Sequence, residues 1–171
     1  MFDVKTGVLF SVGFTTPMLF DERRAPYHLM LMKFMHYGGQ SAFFDTFYWA
    51  LTSGGADMPH ELPDGSGEFL DAWLALLEKM VNTKAVMESP HNMPAKATAS
   101  DPTFKPFEPV KYLARTHRMA FEAMMKLWNK KPIKAYGQKM TESILQILCH
   151  ILKGNIFLLS IYFSNHMKHA E

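Results

Sequence analysis

Eight histidines, a single cysteine and a few serines beside turns are the residues from which this sequence could build reaction chemistry. A zinc hydrolase needs two histidines one helical turn apart with a glutamate between them, and a structural zinc needs a Cys/His cluster. Neither pattern occurs. His166 and His169 share a helical face near the C-terminus, but two donors fall short of a tetrahedral set, so no metal is assigned. His117 falls on the apolar stripe of a helical segment and reads as a core histidine with a hydrogen-bond partner. Gly38-Gly39 and Gly65-Ser66-Gly67 have the composition of phosphate cradles, yet neither has P-loop spacing and neither follows a strand. Helix stops and starts account for both. Ser11, Ser66 and Ser89 lack the strand–turn–helix setting of a nucleophile elbow. Asp64 and Glu68 could be an acid/base pair, but a turn and a helix first turn explain them more simply. Cys149 lies in the apolar stretch Ile144–Leu152 and is expected to be an inert buried thiol. No catalytic, cofactor-binding or metal residue is therefore assigned, and no cofactor is expected.

Charge is distributed more tellingly. Residues 109–139 hold Lys111, Arg115, Arg118, Lys126, Lys130, Lys131, Lys134 and Lys139 against Glu122 alone, whereas 57–88 is mainly acidic. Two solvated faces, attracting each other, are the plainer account. The sharper one is a basic helical ridge meeting an acidic partner, with Lys111, Arg115, Arg118 and Lys126 as its candidate partner-binding residues. A net charge of +2 is too small to imply nucleic acid or an anionic membrane as partner. The apolar runs Val8–Phe14 and Ile156–Phe163 are too short to span a bilayer, and Asp3 and Lys5 make the start a poor signal peptide. One cysteine permits no internal disulfide, so a reducing compartment, cytosol or nucleus, is expected.

The elements that would carry these residues read as helices. At 171 residues the chain can bury one core, and fourteen methionines suit helix-on-helix packing. Pro26 suits a first turn, Tyr27–His36 continues it, and Gly38-Gly39 stops it. A second helix over 41–52 ends at Gly54-Gly55, and the short turn between the two makes them antiparallel. Asp64-Gly65 turns the chain and Ser66 is placed to cap a helix to Val81. Its broad apolar face carries Phe69, Leu70, Trp73, Leu74, Leu76, Leu77 and Met80. Asn82 is placed to cap a short helix to Met87. Ser89–Glu108 contains Pro90, Pro94, Pro102 and Pro106 and reads as one long Pro-rich loop, expected to be flexible. Pro109 opens what reads as the longest helix, to about Trp128, with Lys111, Arg115, Arg118, Glu122 and Lys126 on one stripe. Leu113, His117, Ala120, Met124 and Trp128 lie opposite, and Pro132 ends it. A last helix follows Gly137 to Lys153, with Met140, Ile144, Leu145, Ile147, Leu148, Ile151 and Leu152 inward and Gly154 as its stop. No segment alternates as a strand does. The class is all-α, and three successive helix pairs suggest an armadillo/HEAT-like solenoid segment, although no strict repeat is present.

Four stretches carry a family resemblance: residues 15–23 (TTPMLFDER), LPDGSGEFLDAWLALLEKMVN at 62–82, ESPHNMPAK at 88–96, and LWNKKP at 127–132 with AYGQKMTESILQILCHILKG at 135–154. Together they resemble the giant HECT-type E3 ubiquitin ligases that carry UBA and WWE domains, over roughly Thr15 to Gly154. The resemblance implies a non-catalytic helical scaffold upstream of the UBA domain. It implies as partners the remaining ligase domains in cis and protein partners or ubiquitination substrates. The active-site cysteine of that family sits in the HECT domain, which nothing here matches, so Cys149 inherits no role. The organisation expected is a divergent extension at 1–14, scaffold at 15–88, a Pro-rich loop at 89–108, scaffold at 109–154 and a divergent apolar tail at 155–171. The two ends read as boundary artefacts of a partial gene model. Set apart from the resemblance, the same residues also suit a free-standing adaptor that binds a protein through 109–131.

Overall fold

The computed structural model describes residues 15–52, 66–93, 106–130 and 132–167, with side chains of 132–136 and 157–167 excepted. The predicted glycine stop at 54–55, the Asp64-Gly65 turn, His169 and the middle of the Pro-rich stretch lie outside those residues. The fold is all-α. A helical turn at 15–19 (α1) leads through a loop to α2 (His28–His36) and α3 (Gly39–Thr52). After them come α4 (Gly67–Val81), α5 (Thr83–Met87), α6 (Pro109–Asn129) and α7 (Pro132–Met167). Among the described residues the extended pairing is one isolated bridge, Phe20 to Pro26. Pro26 therefore belongs to the loop, and α2 starts two residues later than its sequence suggests.

Local chemistry explains most boundaries. Gly38 takes φ +78°, a left-handed conformation that costs glycine nothing, and the chain turns there from α2 into α3. Pro109 stands at the first position of α6, where its missing N–H is one of the helix's unpaired donors anyway. Asn82 caps α5 as expected, its side chain accepting from the Ala85 amide at 3.1 Å. Ser66 precedes α4 but adopts αR and makes no side-chain capping bond, contrary to its expected role.

Successive helices stack as in a solenoid segment: α2 lies on α3, α3 on α6, and α4 and α6 pack against α7. The core centres on α4, whose Leu70, Trp73, Leu77, Met80 and Val81 are wholly inaccessible to solvent. Trp73 is the largest of these. Its ring stacks on Phe43 and Phe47 of α3, with centroids at 4.7 and 4.3 Å, and meets Phe44 edge-on at 5.6 Å. The indole N–H is satisfied too, donating to the Phe43 carbonyl at 2.9 Å.

The last helix departs from the sequence reading in three ways. Its backbone breaks at Gly137 (φ 74°, ψ −162°) and then runs unbroken through Gly154 to Met167, so α7 rather than α6 is the longest helix. Gly154 is no stop. It is buried, and a Cβ there would overlap the Thr83 side-chain oxygen and the His117 ring. Its missing side chain lets α7 approach α5 and α6 closely. Leu145 and Leu152, expected inward, are 48% and 64% exposed, because the buried stripe is Met140, Ile144, Ile147 and Ile151. Trp128 on α6 is likewise 40% exposed, and Leu127 takes the core position in its place.

Candidate partner-binding face

The basic stripe of α6 is real as a surface. Lys111, Arg115, Arg118, Glu122 and Lys126 are all exposed, while Tyr112, Leu113, Thr116, His117, Ala120, Ala123 and Met124 face the core. Three of the four candidate cations already have intramolecular partners. Lys111 pairs with Glu108 at 2.8 Å, one turn back. Arg115 reaches the Ser41 hydroxyl of α3 at 3.4 Å. Lys126 lies 4.4 Å from the centre of the Tyr48 ring. Arg118 has no such contact among the described residues. The acidic and basic halves of the sequence also meet where Lys139 of α7 pairs with Asp71 of α4 at 2.7 Å.

A second polar cluster was missed in the sequence, because its members lie some 70 residues apart. Asp21 closes the loop before α2: its Oδ1 accepts from the Ala25 amide at 2.8 Å, and its own amide donates to the Ala25 carbonyl at 2.9 Å. Oδ2 accepts from His91 Nε2 at 2.8 Å. The Ser89 hydroxyl donates to the Pro26 carbonyl at 2.6 Å and accepts from the His91 amide at 3.1 Å. His28 Nε2 donates to the Val86 carbonyl at 2.8 Å, and the Tyr27 and His91 rings lie 4.4 Å apart. Asp, His and Ser are the residue types of a hydrolytic triad, but their connections differ from one. The serine proton goes to a carbonyl, and the serine oxygen meets the histidine backbone rather than its ring. The cluster is a latch that fastens the loop at 20–27 to the start of the predicted Pro-rich stretch. Phe107 at the far end of that stretch packs on His28 and Tyr112. The hydrogen bond from His91, helped by the Ala25 amide, holds the Asp21 carboxyl below its ordinary range.

The buried polar residues inside the stack serve packing. His117 is the core histidine its position predicted, 2% exposed, with Nε2 donating to the Val81 carbonyl at 3.0 Å. That bond satisfies a carbonyl at the end of α4. Its Nδ1 lies 3.4 Å from the Asn155 side chain of α7. Gln40 of α3 donates to Thr116 of α6 at 2.7 Å, and Thr116 donates to the Tyr112 carbonyl at 2.7 Å. Burial pushes the Tyr112 phenol far above its usual value. Cys149 is exposed rather than buried, because it falls on the outer side of α7 with Leu145 and Leu152. Among the described residues, no three His, Cys, Asp or Glu converge as a metal site requires. Among them too, no helix is long and apolar enough to cross a membrane.

No protein-family pattern matches the sequence. No solved structure matches it either. Two curated proteins do, each named E3 ubiquitin-protein ligase HUWE1, from Mus musculus and Rattus norvegicus. Each is 55% identical to this chain over 150 residues, which covers 84% of this chain. The same alignment covers 3% of either relative, so the chain spans a small fraction of their length. Identity at that level across most of its residues makes the chain a homologue of a short segment of the E3 ubiquitin-protein ligase HUWE1.

Proposed function

We propose that this chain is a non-catalytic helical scaffold segment of a HECT-type E3 ubiquitin ligase, of armadillo/HEAT-like build, belonging upstream of the UBA domain in the whole protein. The whole protein would pass ubiquitin from an E2 through a HECT cysteine to substrate lysines. This segment would hold the remaining ligase domains and protein partners or substrates in position. The observation that carries the reading is the 55% identity to a ubiquitin-protein ligase over 84% of the chain. Supporting it, the described side chains are spent on helix packing and on the latch. Cys149, the one thiol, is exposed on the outer side of α7 and has no paired base among the described residues. Incubation with E1, a charged E2 and ubiquitin tests this directly. No reducible ubiquitin adduct should form on the chain, and a thioester that disappears in Cys149→Ser overturns the reading.

One observation favours a second reading. Arg118 is exposed with no ion pair among the described residues, at the centre of the basic stripe, as expected of an adaptor that binds an acidic partner through 109–131. The transcript downstream of Gly154 separates the two. Continuation into UBA and HECT coding sequence supports the scaffold, and a stop soon after supports the adaptor.

A further inference from the structure

Leu145, Cys149, Leu152 and Ile156 recur on α7 at spacings of four, three and four, and all four are exposed, Leu152 by 64% and Ile156 by 70%. That is the spacing of a coiled-coil seam, and it stays on one side of a helix. Asn155, which meets His117 of α6, lies between this stripe and the core, so the stripe borders the α6 side of α7. On α6 the corresponding border carries Phe121 and Trp128, 50% and 40% exposed. They stand on the side of His117, away from Thr116 and Lys126, which face α3. The two rows flank one seam, and none of their six side chains carries a formal charge.

We propose that this surface is a self-association face, on which a second copy of the chain docks with its α7 antiparallel to the first. Size and charge both point to a second copy. Taking ~150–250 Å² for a fully exposed aromatic side chain and somewhat less for an aliphatic one, the exposed apolar area is on the order of 600 Å². With a polar rim this approaches the ~800 Å² per partner of a stable interface. Apolar side chains along the middle, flanked by the aromatic rings of Phe121 and Trp128, fit the apolar core and aromatic enrichment such interfaces have. The 4-3-4 row is self-complementary when reversed: Leu145 meets the partner's Ile156, and Cys149 meets the partner's Leu152. Direction follows from Glu142, which continues the seam one heptad before Cys149 and is exposed. A parallel pair would set Glu142 against its own copy. The antiparallel pair moves those carboxylates about 25 Å apart along the axis, at 1.5 Å per residue.

Cys149 makes the arrangement measurable, because any thiol-linked dimer of this chain joins Cys149 to Cys149. The antiparallel register sets these thiols near the two-fold axis, with helix axes about 8–10 Å apart. Sedimentation of the full chain over a concentration series should show reversible dimer, and a short bis-maleimide should cross-link it. Leu152→Glu should weaken dimerisation by roughly tenfold or more and abolish the cross-link while leaving helicity and melting unchanged. Asp45→Lys, at an exposed position on α3, should leave both intact. A chain that stays monomeric throughout the series overturns the proposal. So does a dimer that Leu152→Glu leaves undiminished, since it must then use another face.

Discussion

Gly154→Ala adds one methyl group, and the structure gives that methyl no room. It would overlap the Thr83 side-chain oxygen and the His117 ring, and neither neighbour yields easily. Thr83 is β-branched, buried and at the start of α5, while His117 is fixed by its bond to the Val81 carbonyl. Overpacking of this kind costs about 1–3 kcal/mol. Against it stands the helix preference for alanine over glycine, about 1 kcal/mol at a mid-helix position. Overlap with two buried neighbours at once places the cost at the upper end, about 2–3 kcal/mol, so the expected net is a loss of about 1–2 kcal/mol, which for a domain of this size lowers Tm by roughly 2–8 °C. Circular dichroism melts of parent and variant give the shift. The cause is isolated by a second change, Thr83→Ala. The Thr83 hydroxyl is buried with no hydrogen-bond partner among the described residues, so its removal costs little and opens space. The double variant should therefore recover part of the loss, the His117 ring still crowding the methyl, and a double-mutant cycle reads that coupling directly. A Gly154→Ala chain that melts at or above the parent temperature would refute the close-approach argument. It would return Gly154 to a position where only helix propensity matters.

Trp73→Ala should cost about 3–5 kcal/mol, read as a lower midpoint in denaturant melts, because it empties the space between three phenylalanines and removes the indole bond to the Phe43 carbonyl. The latch predicts a defined pH response. Its Asp21 carboxyl titrates lower in the folded chain than its unfolded value of 3.8, so its contribution is complete above that value and is lost as pH falls through the folded pKa. Asp21→Asn should accordingly be less stable than the parent at neutral pH, with the difference closing in acid titrations followed by circular dichroism. Replacing Lys111, Arg115 and Arg118 together by Ala should change stability by less than about 1 kcal/mol, since their contacts are exposed. If the stripe binds a partner, the same variant should bind more weakly, and the difference should shrink in high salt.

The parts of the fold legible in the sequence were those fixed by neighbours along the chain. The apolar face of α4, the Pro109 start of α6 and the Asn82 cap depend on periodicity and on groups within four residues, and all three stand as read. His117 was legible for the same reason, through its place on an apolar stripe. Gly154 was not, because a glycine that ends a helix and one that admits a neighbouring helix look alike until Thr83 and His117 are placed beside it. Cys149, Leu145 and Leu152 were misplaced because α7 is apolar on two sides, and periodicity cannot say which side meets α4. The latch was invisible, since Asp21 and His91 meet only after two loops are brought together by the helices between them.

The reliance of α4 on α7 also sets a clock on synthesis. The Asp71–Lys139 contact marks where the two helices meet, and it joins residues 68 positions apart. A ribosome adding about 5–20 residues per second takes roughly 3–14 s between them. Through that interval the side of α4 that meets α7 has left the exit tunnel without that partner, far longer than the microseconds a helix needs to form. Newly made chains are therefore expected to present α4 to chaperones as a formed helix backed by α3 but open on the side that α7 later covers, and chains cut short before residue 139 should be cleared rather than accumulate.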